Sequence, residues 1–80
     1  MAKVVFPDGF LTATGGVREI NSTADTYRAL SAELIDRWPQ LADLLASSAV
    51  AIDGQIYQDA FLEPVAPHSE VFFMARIEGG

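Results

Sequence analysis

The clearest pattern in the chain is a stripe of apolar residues with the spacing of an α-helix. The stripe falls at positions i, i+3, i+7, i+8 and i+11 and consists of Tyr27, Leu30, Leu34, Ile35 and Trp38. Residues 22–25 predict the start of this helix, because a hydroxyl at the cap and a carboxylate three residues later satisfy free backbone N–H groups. Pro39 predicts its end, since proline disfavours helical geometry in the residue before it.

Shorter apolar runs predict the remaining elements. Leu41, Leu44 and Leu45 suit a short second helix. Strands are predicted at residues 3–6, 17–21, 49–52, 55–57 and 70–77, and Asp53-Gly54 between the third and fourth is a strong hairpin signal. Residues 10–14 are interpreted as a loop or a short extended piece, and residues 59–69 as irregular. Together these elements favour an α+β domain in which one long helix packs on a mixed sheet.

Length, net charge and the absence of cysteine exclude several classes of function. With 80 residues the chain is expected to form one domain. The net charge of −6 argues against nucleic-acid binding and favours either a partner with a basic surface or a simple solubility role. No cysteine is present, which excludes disulfides, thiolate metal sites and a cysteine nucleophile. The chain shows no signal-peptide pattern and no apolar stretch of membrane-spanning length, so a cytoplasmic protein is expected.

Catalytic and metal-binding motifs are not recognisable. His68 is the only histidine and is predicted to lie in a surface loop, so we expect no metal site. The serines lack a recognisable base partner for nucleophilic catalysis. The sequence therefore predicts a protein without enzyme activity of its own and without a bound cofactor.

The chemistry-bearing feature is the end of the chain. An apolar run at residues 71–75 is followed by a short exit and by Gly79-Gly80. Glycine has no side chain, so a diglycine can enter a narrow channel that rejects larger residues. By strand alternation, Phe72 and Met74 share one face and Val71, Phe73 and Ala75 the other. One set is expected to face the core, and the other is a candidate interaction patch.

These features resemble the MoaD/ThiS family of sulfur carriers, small ubiquitin-like proteins. The resemblance rests on residues 3–6, 51–55 and 70–73 together with Gly79-Gly80. It implies a ubiquitin-like β-grasp fold: a mixed sheet of four to five strands packed on one main helix plus a short second helix. The chain length and the helical segment after Trp38 are more similar to MoaD, the small subunit of molybdopterin synthase, than to ThiS.

The resemblance also implies a mechanism and a set of site residues. A ubiquitin-activating-like enzyme would use ATP to adenylate Gly80, and a sulfur donor would convert the adenylate to a thiocarboxylate. Residues 77–80 would form a flexible tail. Gly79 and Gly80 would then be the reacting end, and the partner-binding residues would be Phe72, Met74, Arg76, Ile77 and Glu78. A sulfur-acceptor enzyme, such as a molybdopterin synthase large subunit, would be the second partner.

Two other functions remain open at this point. The same activated tail would serve a protein modifier that forms isopeptide bonds with lysines, and a non-covalent β-grasp interaction module would not use the diglycine at all. MoaD proteins often have two prolines shortly before the diglycine, where this chain has Ala75 and Arg76. The final sulfur acceptor is therefore left open by the residues.

Overall fold

The centre of the fold is a five-stranded mixed sheet, seen in a computed structural model that describes residues 1–76. Its strands are β1 (Ala2–Val5), β2 (Glu19–Ser22), β3 (Ser48–Ile52), β4 (Gln55–Tyr57) and β5 (Glu70–Ala75). The spatial order is β2-β1-β5-β3-β4. The central pair, β1 and β5, is parallel, whereas the other neighbours are antiparallel. All five predicted strands are present: β4 has the predicted bounds, and the other four differ at one end or both. Ile77, predicted to end the last strand, lies outside the described residues.

The main helix is α2 (Tyr27–Arg37). A start at residues 22–25 was predicted from the sequence, and this prediction was wrong. Thr26 is the cap: its backbone is extended, and its side chain accepts a hydrogen bond from the Ala29 N–H at 3.1 Å. Ser22 instead ends β2, where it pairs with Ala2, and its hydroxyl donates to Glu33 at 2.7 Å. Because Ser22 is part of the sheet, Thr26 caps the helix instead.

The other helical predictions have mixed outcomes. Helix α2 ends before Pro39, as expected, and α3 (Leu41–Ala46) follows at once. Residues 10–14 were predicted as a loop or extended piece, and this was wrong. A 3-10 turn (Asp8–Phe10) leads into a short helix, α1 (Leu11–Thr14), which ends at Gly15 with φ of 67°. Glycine adopts this left-handed geometry without the steric cost of a side chain, so it terminates α1.

The hydrophobic core lies between the helices and one face of the sheet. Its largest fully buried side chains are Val4, Leu30, Leu34, Leu41 and Val71. An aromatic cluster adjoins them: the ring centroids of Phe10 and Phe73 lie 5.4 Å apart, and those of Phe6 and Trp38 lie 5.6 Å apart. Trp38 is half-buried against this core. Phe73 therefore packs the core-facing side of the central strand β5 against this aromatic cluster. Within residues 1–76, no helix is long and apolar enough to cross a lipid bilayer.

Candidate functional site

Strand β5 turns alternate side chains to opposite sides of the sheet. Val71 and Phe73 point into the core and are buried. Phe72, between them, is 39% exposed on the other face, and Met74 is half-buried there. Ala75, which shares the parity of Val71 and Phe73, lies at the strand end and is exposed. The two partner-binding candidates on this strand therefore lie on the sheet face that carries no helix, which we call the open face.

Strand register shows which residues share that face with Phe72. Residues paired directly across neighbouring strands point to the same side of a sheet. Phe72 pairs with Val5 on one side and Ala51 on the other, Ala51 pairs with Ile56, and Met74 pairs with Ala49. We call this set the open-face patch: Val5, Ala49, Ala51, Ile56, Phe72 and Met74. It extends over four strands.

The middle of the patch is formed by small residues. Ala49 and Ala51 are buried although they lie outside the core cluster, because larger open-face side chains flank them. Ile56 is 54% exposed at the outer end of the row. The sequence-based site included Phe72 and Met74 but not the other patch members. The Asp53-Gly54 turn could have identified Ile56 from the sequence. A two-residue turn fixes the register of the hairpin, and this register places Ile56 opposite Ala51.

Charge is unevenly distributed along the open face. Lys3 pairs with Glu70 in the parallel register at the far end, and its ammonium lies 3.8 Å from Glu19. Met74 and Ala49 lie at the other end, where the chain leaves the sheet. The strand row of Met74 and Ala49 contains no charged residue, whereas Glu19 borders the row of Phe72 next to Val5.

Arg76 is the last residue that the structure describes, and it contacts a loop. Its Nη2 donates a hydrogen bond to the Gln58 carbonyl oxygen at 2.8 Å. Arg76 also lines a cleft of about 200 Å³ with Tyr27 and Phe61. Burial raises the pKa of Tyr27 to about 12, so this phenol stays protonated at neutral pH. Arg76, where the carboxyl-terminal segment begins, is therefore held beside the loop that follows β4.

The remaining site candidates lie beyond this point. Ile77, Glu78, Gly79 and Gly80, including the predicted reacting end, lie outside the described residues. His68 is exposed in the loop before β5. Over residues 1–76, no group of three or more histidine, aspartate or glutamate side chains is placed to hold a metal ion.

The β3–β4 hairpin is fixed to the start of β5 by Asp53. Its carboxylate accepts hydrogen bonds from the Ser69 hydroxyl at 2.6 Å and from the Glu70 N–H at 3.0 Å. Asp53 has a φ of 51° in the turn, a left-handed conformation that aspartate and asparagine tolerate. This contact sets the position of Ile56 relative to Phe72. The Ser69 hydrogen bond, followed by that from Glu70, lowers the pKa of Asp53 below its usual 3.8.

This shift predicts a pH-dependent effect of Asp53→Asn. Because the folded-state pKa is lowered, the charged form stabilises the fold above pH 3.8, and this contribution is lost as pH falls through the folded pKa. The variant should therefore melt below the wild type at neutral pH, and the gap should shrink in acid. Thermal unfolding by circular dichroism over this pH range measures it. Asparagine keeps the turn geometry, so a gap that stays constant with pH would contradict the carboxylate's role.

Comparison with known structures identifies the architecture. The crystal structure of the Amycolatopsis orientalis BexX/CysO complex contains a similar chain, with a TM-score of 0.78 and 15% sequence identity. The match covers 100% of both chains. The protein has a β-grasp fold. Searches for a matching protein family and for a similar curated protein found none.

The β-grasp order explains the placement of the candidate site. The first and last strands, β1 and β5, are parallel neighbours at the centre of the sheet. The chain therefore leaves the fold from the middle strand and not from an edge. Patch residues flank this exit strand on both sides, with Val5 on β1 and Ala49 on β3. The fold class predicted from the sequence is confirmed.

Proposed function

We propose that the protein is a sulfur carrier whose Gly79-Gly80 end is adenylated by a ubiquitin-activating-like enzyme and then converted to a thiocarboxylate. The observation that carries the proposal is the arrangement of an apolar open face around the strand that leads to the diglycine. Apolar patches of this kind on small proteins mark protein–protein contacts. The patch gives a partner a surface to hold while it acts on the end of the chain.

The reach of the tail supports this arrangement. Residues 77–80 follow Arg76, and four extended residues span at most about 13–14 Å. That length lets Gly80 enter a buried active site while the partner still contacts Phe72 and Met74. Ile77 and Glu78 would line the channel entrance, and Arg76 would contact its rim.

The chemistry needs little from the carrier beyond a reachable carboxylate. The Gly80 carboxylate is ionised at neutral pH, and its charge repels nucleophiles. In the proposed reaction a carboxylate oxygen attacks the α-phosphorus of ATP and pyrophosphate leaves. Sulfide then attacks the carbonyl carbon and AMP leaves with the carboxylate oxygen, which gives the thiocarboxylate directly. With a persulfide donor the same attack gives an acyl disulfide, and a second thiol must cleave its S–S bond to release the thiocarboxylate, itself becoming part of a disulfide. The partner enzyme binds ATP, so the carrier needs no cofactor and no catalytic side chain of its own.

The structural neighbour supports a protein partner, since it was solved as a complex of two proteins, BexX and CysO. For this chain we propose two partners in the cytoplasm: the adenylating enzyme and a sulfur-acceptor enzyme. Within the carrier class we propose molybdopterin-type cofactor synthesis, with a molybdopterin synthase large subunit as acceptor. Helix α3 supports this choice, because the extra helical segment after Trp38 is the feature that resembles MoaD. Neither nucleic acid nor a membrane takes part in the proposed cycle.

Intact mass spectrometry tests the proposal. The mature protein is incubated with ATP, a ubiquitin-activating-like enzyme and a sulfur donor. A mass gain equal to the difference between a sulfur and an oxygen atom, located on Gly80, is the expected result. A ladder of lysine-linked conjugates would instead identify a protein modifier. A chain that no such enzyme adenylates would be a non-covalent interaction module.

A further inference from the structure

Glu70 places an exposed carboxylate on the open face, beside the apolar patch. It is the first residue of β5 and pairs with Lys3 of β1, two residues before Phe72. Neighbouring side chains on one face of a strand are about 6–7 Å apart along the strand. Glu70 is exposed, and Phe72 is 39% exposed. A partner surface that covers the Phe72 ring therefore also reaches this carboxylate.

Negative charge exceeds positive charge at this end of the open face. The Lys3 ammonium lies 3.8 Å from the carboxylate of Glu19, which is on the neighbouring strand β2. The Asp53 carboxylate is also close, because it accepts a hydrogen bond from the Glu70 N–H at 3.0 Å. One ammonium thus adjoins three carboxylates, and Glu70 forms no ion pair within residues 1–76.

The remaining cationic groups of residues 1–76 make other contacts. The four arginines bind as follows: Arg18 lies 3.2 Å from Asp8, Arg28 lies 5.3 Å from the centroid of the Phe61 ring, Arg37 lies 4.4 Å from that of Trp38, and Arg76 donates to the Gln58 carbonyl oxygen. Neither His68 nor the amino group of Met1 forms an ion pair within the described chain. The Glu70 carboxylate is therefore not neutralised by the fold.

A partner that docks over Phe72 must compensate this carboxylate. An ionised group that loses water under an apolar surface raises the free energy unless a cation or hydrogen-bond donors replace that water. The net charge of −6 acts in the same direction, since it favours encounter with a basic surface. The surface that fits this end of the open face is apolar and carries a cation beside the point that covers Phe72.

We propose that Glu70 binds an arginine or lysine side chain of the adenylating enzyme, next to the apolar surface that covers Phe72. The inference rests on the proposed function, since the same enzyme receives the tail. Hydrophobic contact has no preferred direction, whereas an ion pair fixes the register of two surfaces. Glu70 and Ala75 are the first and last residues of β5, about 16–17 Å apart. An ion pair at the first residue would therefore set the direction in which the strand leads the tail.

Steady-state kinetics test the Glu70 contact. The probes are the purified ubiquitin-activating-like enzymes encoded in the genome that encodes this chain. Carrier-dependent ATP–pyrophosphate exchange is measured for the wild type, Glu70→Gln and the matched control Asp36→Asn. Asp36 is exposed on helix α2, which packs on the other side of the sheet, and its substitution removes the same charge.

We expect Glu70→Gln to raise the KM for the carrier by about five- to tenfold, because the enzyme's cation loses its partner. The kcat should change little, since the tail is intact. Asp36→Asn should alter the KM by less than about twofold, which is the scale of a screened surface charge. Added salt should raise the wild-type KM more steeply than the KM of Glu70→Gln, because salt weakens the ion pair that only the wild type forms.

The outcomes separate this inference from the carrier function. Both substituted side chains are exposed, so the thermal midpoints of the two variants should match that of the wild type. If the wild type is adenylated and the two variants have the same KM, the Glu70 contact is overturned and the carrier function stands. Equal salt dependence of the wild type and Glu70→Gln would also overturn the contact. If none of these enzymes adenylates the wild type, both proposals are overturned.

Discussion

Replacing Gly80 with alanine is expected to lower adenylation by about 100-fold, the scale of a misplaced reacting group. A methyl group at this position restricts φ and adds bulk where the channel must accept bare backbone. The change lies beyond the last strand, so the free energy of unfolding should not alter. ATP–pyrophosphate exchange with the adenylating enzyme measures the loss, and kcat/KM is the quantity to compare.

Gly9→Ala is the matched control for this substitution. A Cβ built at Gly9 has no atom within 4 Å, and Gly9 is not among the glycines with positive φ. The same chemical change is therefore free of steric strain there, and it leaves the sequence of residues 77–80 unchanged. Gly9→Ala should be adenylated normally. Equal rates for Gly80→Ala and the wild type would show that the tail does not enter a narrow channel, and the carrier proposal would lose its chemical basis.

Periodicity predicted the elements of the fold more reliably than their starts. The stripe from Tyr27 to Trp38 produced helix α2, and Leu41 and Leu45 produced α3. The start of α2 was misplaced because Ser22 and Thr26 both carry cap-type hydroxyls, and only sheet pairing decides between them. Residues 10–14 are helical because of packing that the local sequence does not show. Phe10 is buried in the core, and Gly15 ends the short helix that follows it.

The candidate site was predictable only along single strands. Strand alternation predicted that the side chains of Phe72 and Phe73 point to opposite faces of the sheet, and the structure confirms this. The neighbours of Phe72 are set by pairing between strands far apart in sequence, so Val5 could not be assigned to the patch from the sequence. Phe61 and Leu62 lie in an irregular loop, where no periodic pattern distinguishes an exposed apolar residue from a buried one.

Phe73→Ala is expected to have the largest effect on stability. Phe73 is 5% exposed, and its ring lies 5.4 Å from that of Phe10 and 6.2 Å from that of Phe6. Removing a buried phenylalanine costs about 3–5 kcal/mol in transfer free energy and cavity formation. Small domains have about 5–15 kcal/mol of stability in total, and short chains lie at the lower end. The thermal midpoint should therefore fall by more than about 10 °C.

Phe72→Ala, one residue earlier, makes the same chemical change on the open face. Phe72 is 39% exposed, so its removal should cost only about 1 kcal/mol of stability. Its effect should fall on the partner instead, with a KM for the carrier raised by about tenfold because a central anchor is lost. Thermal unfolding and exchange kinetics on both variants measure the two effects. If Phe72→Ala left the KM unchanged, the open-face patch would not be the docking surface, because no other residue of β5 presents so large an apolar side chain to solvent within the described chain.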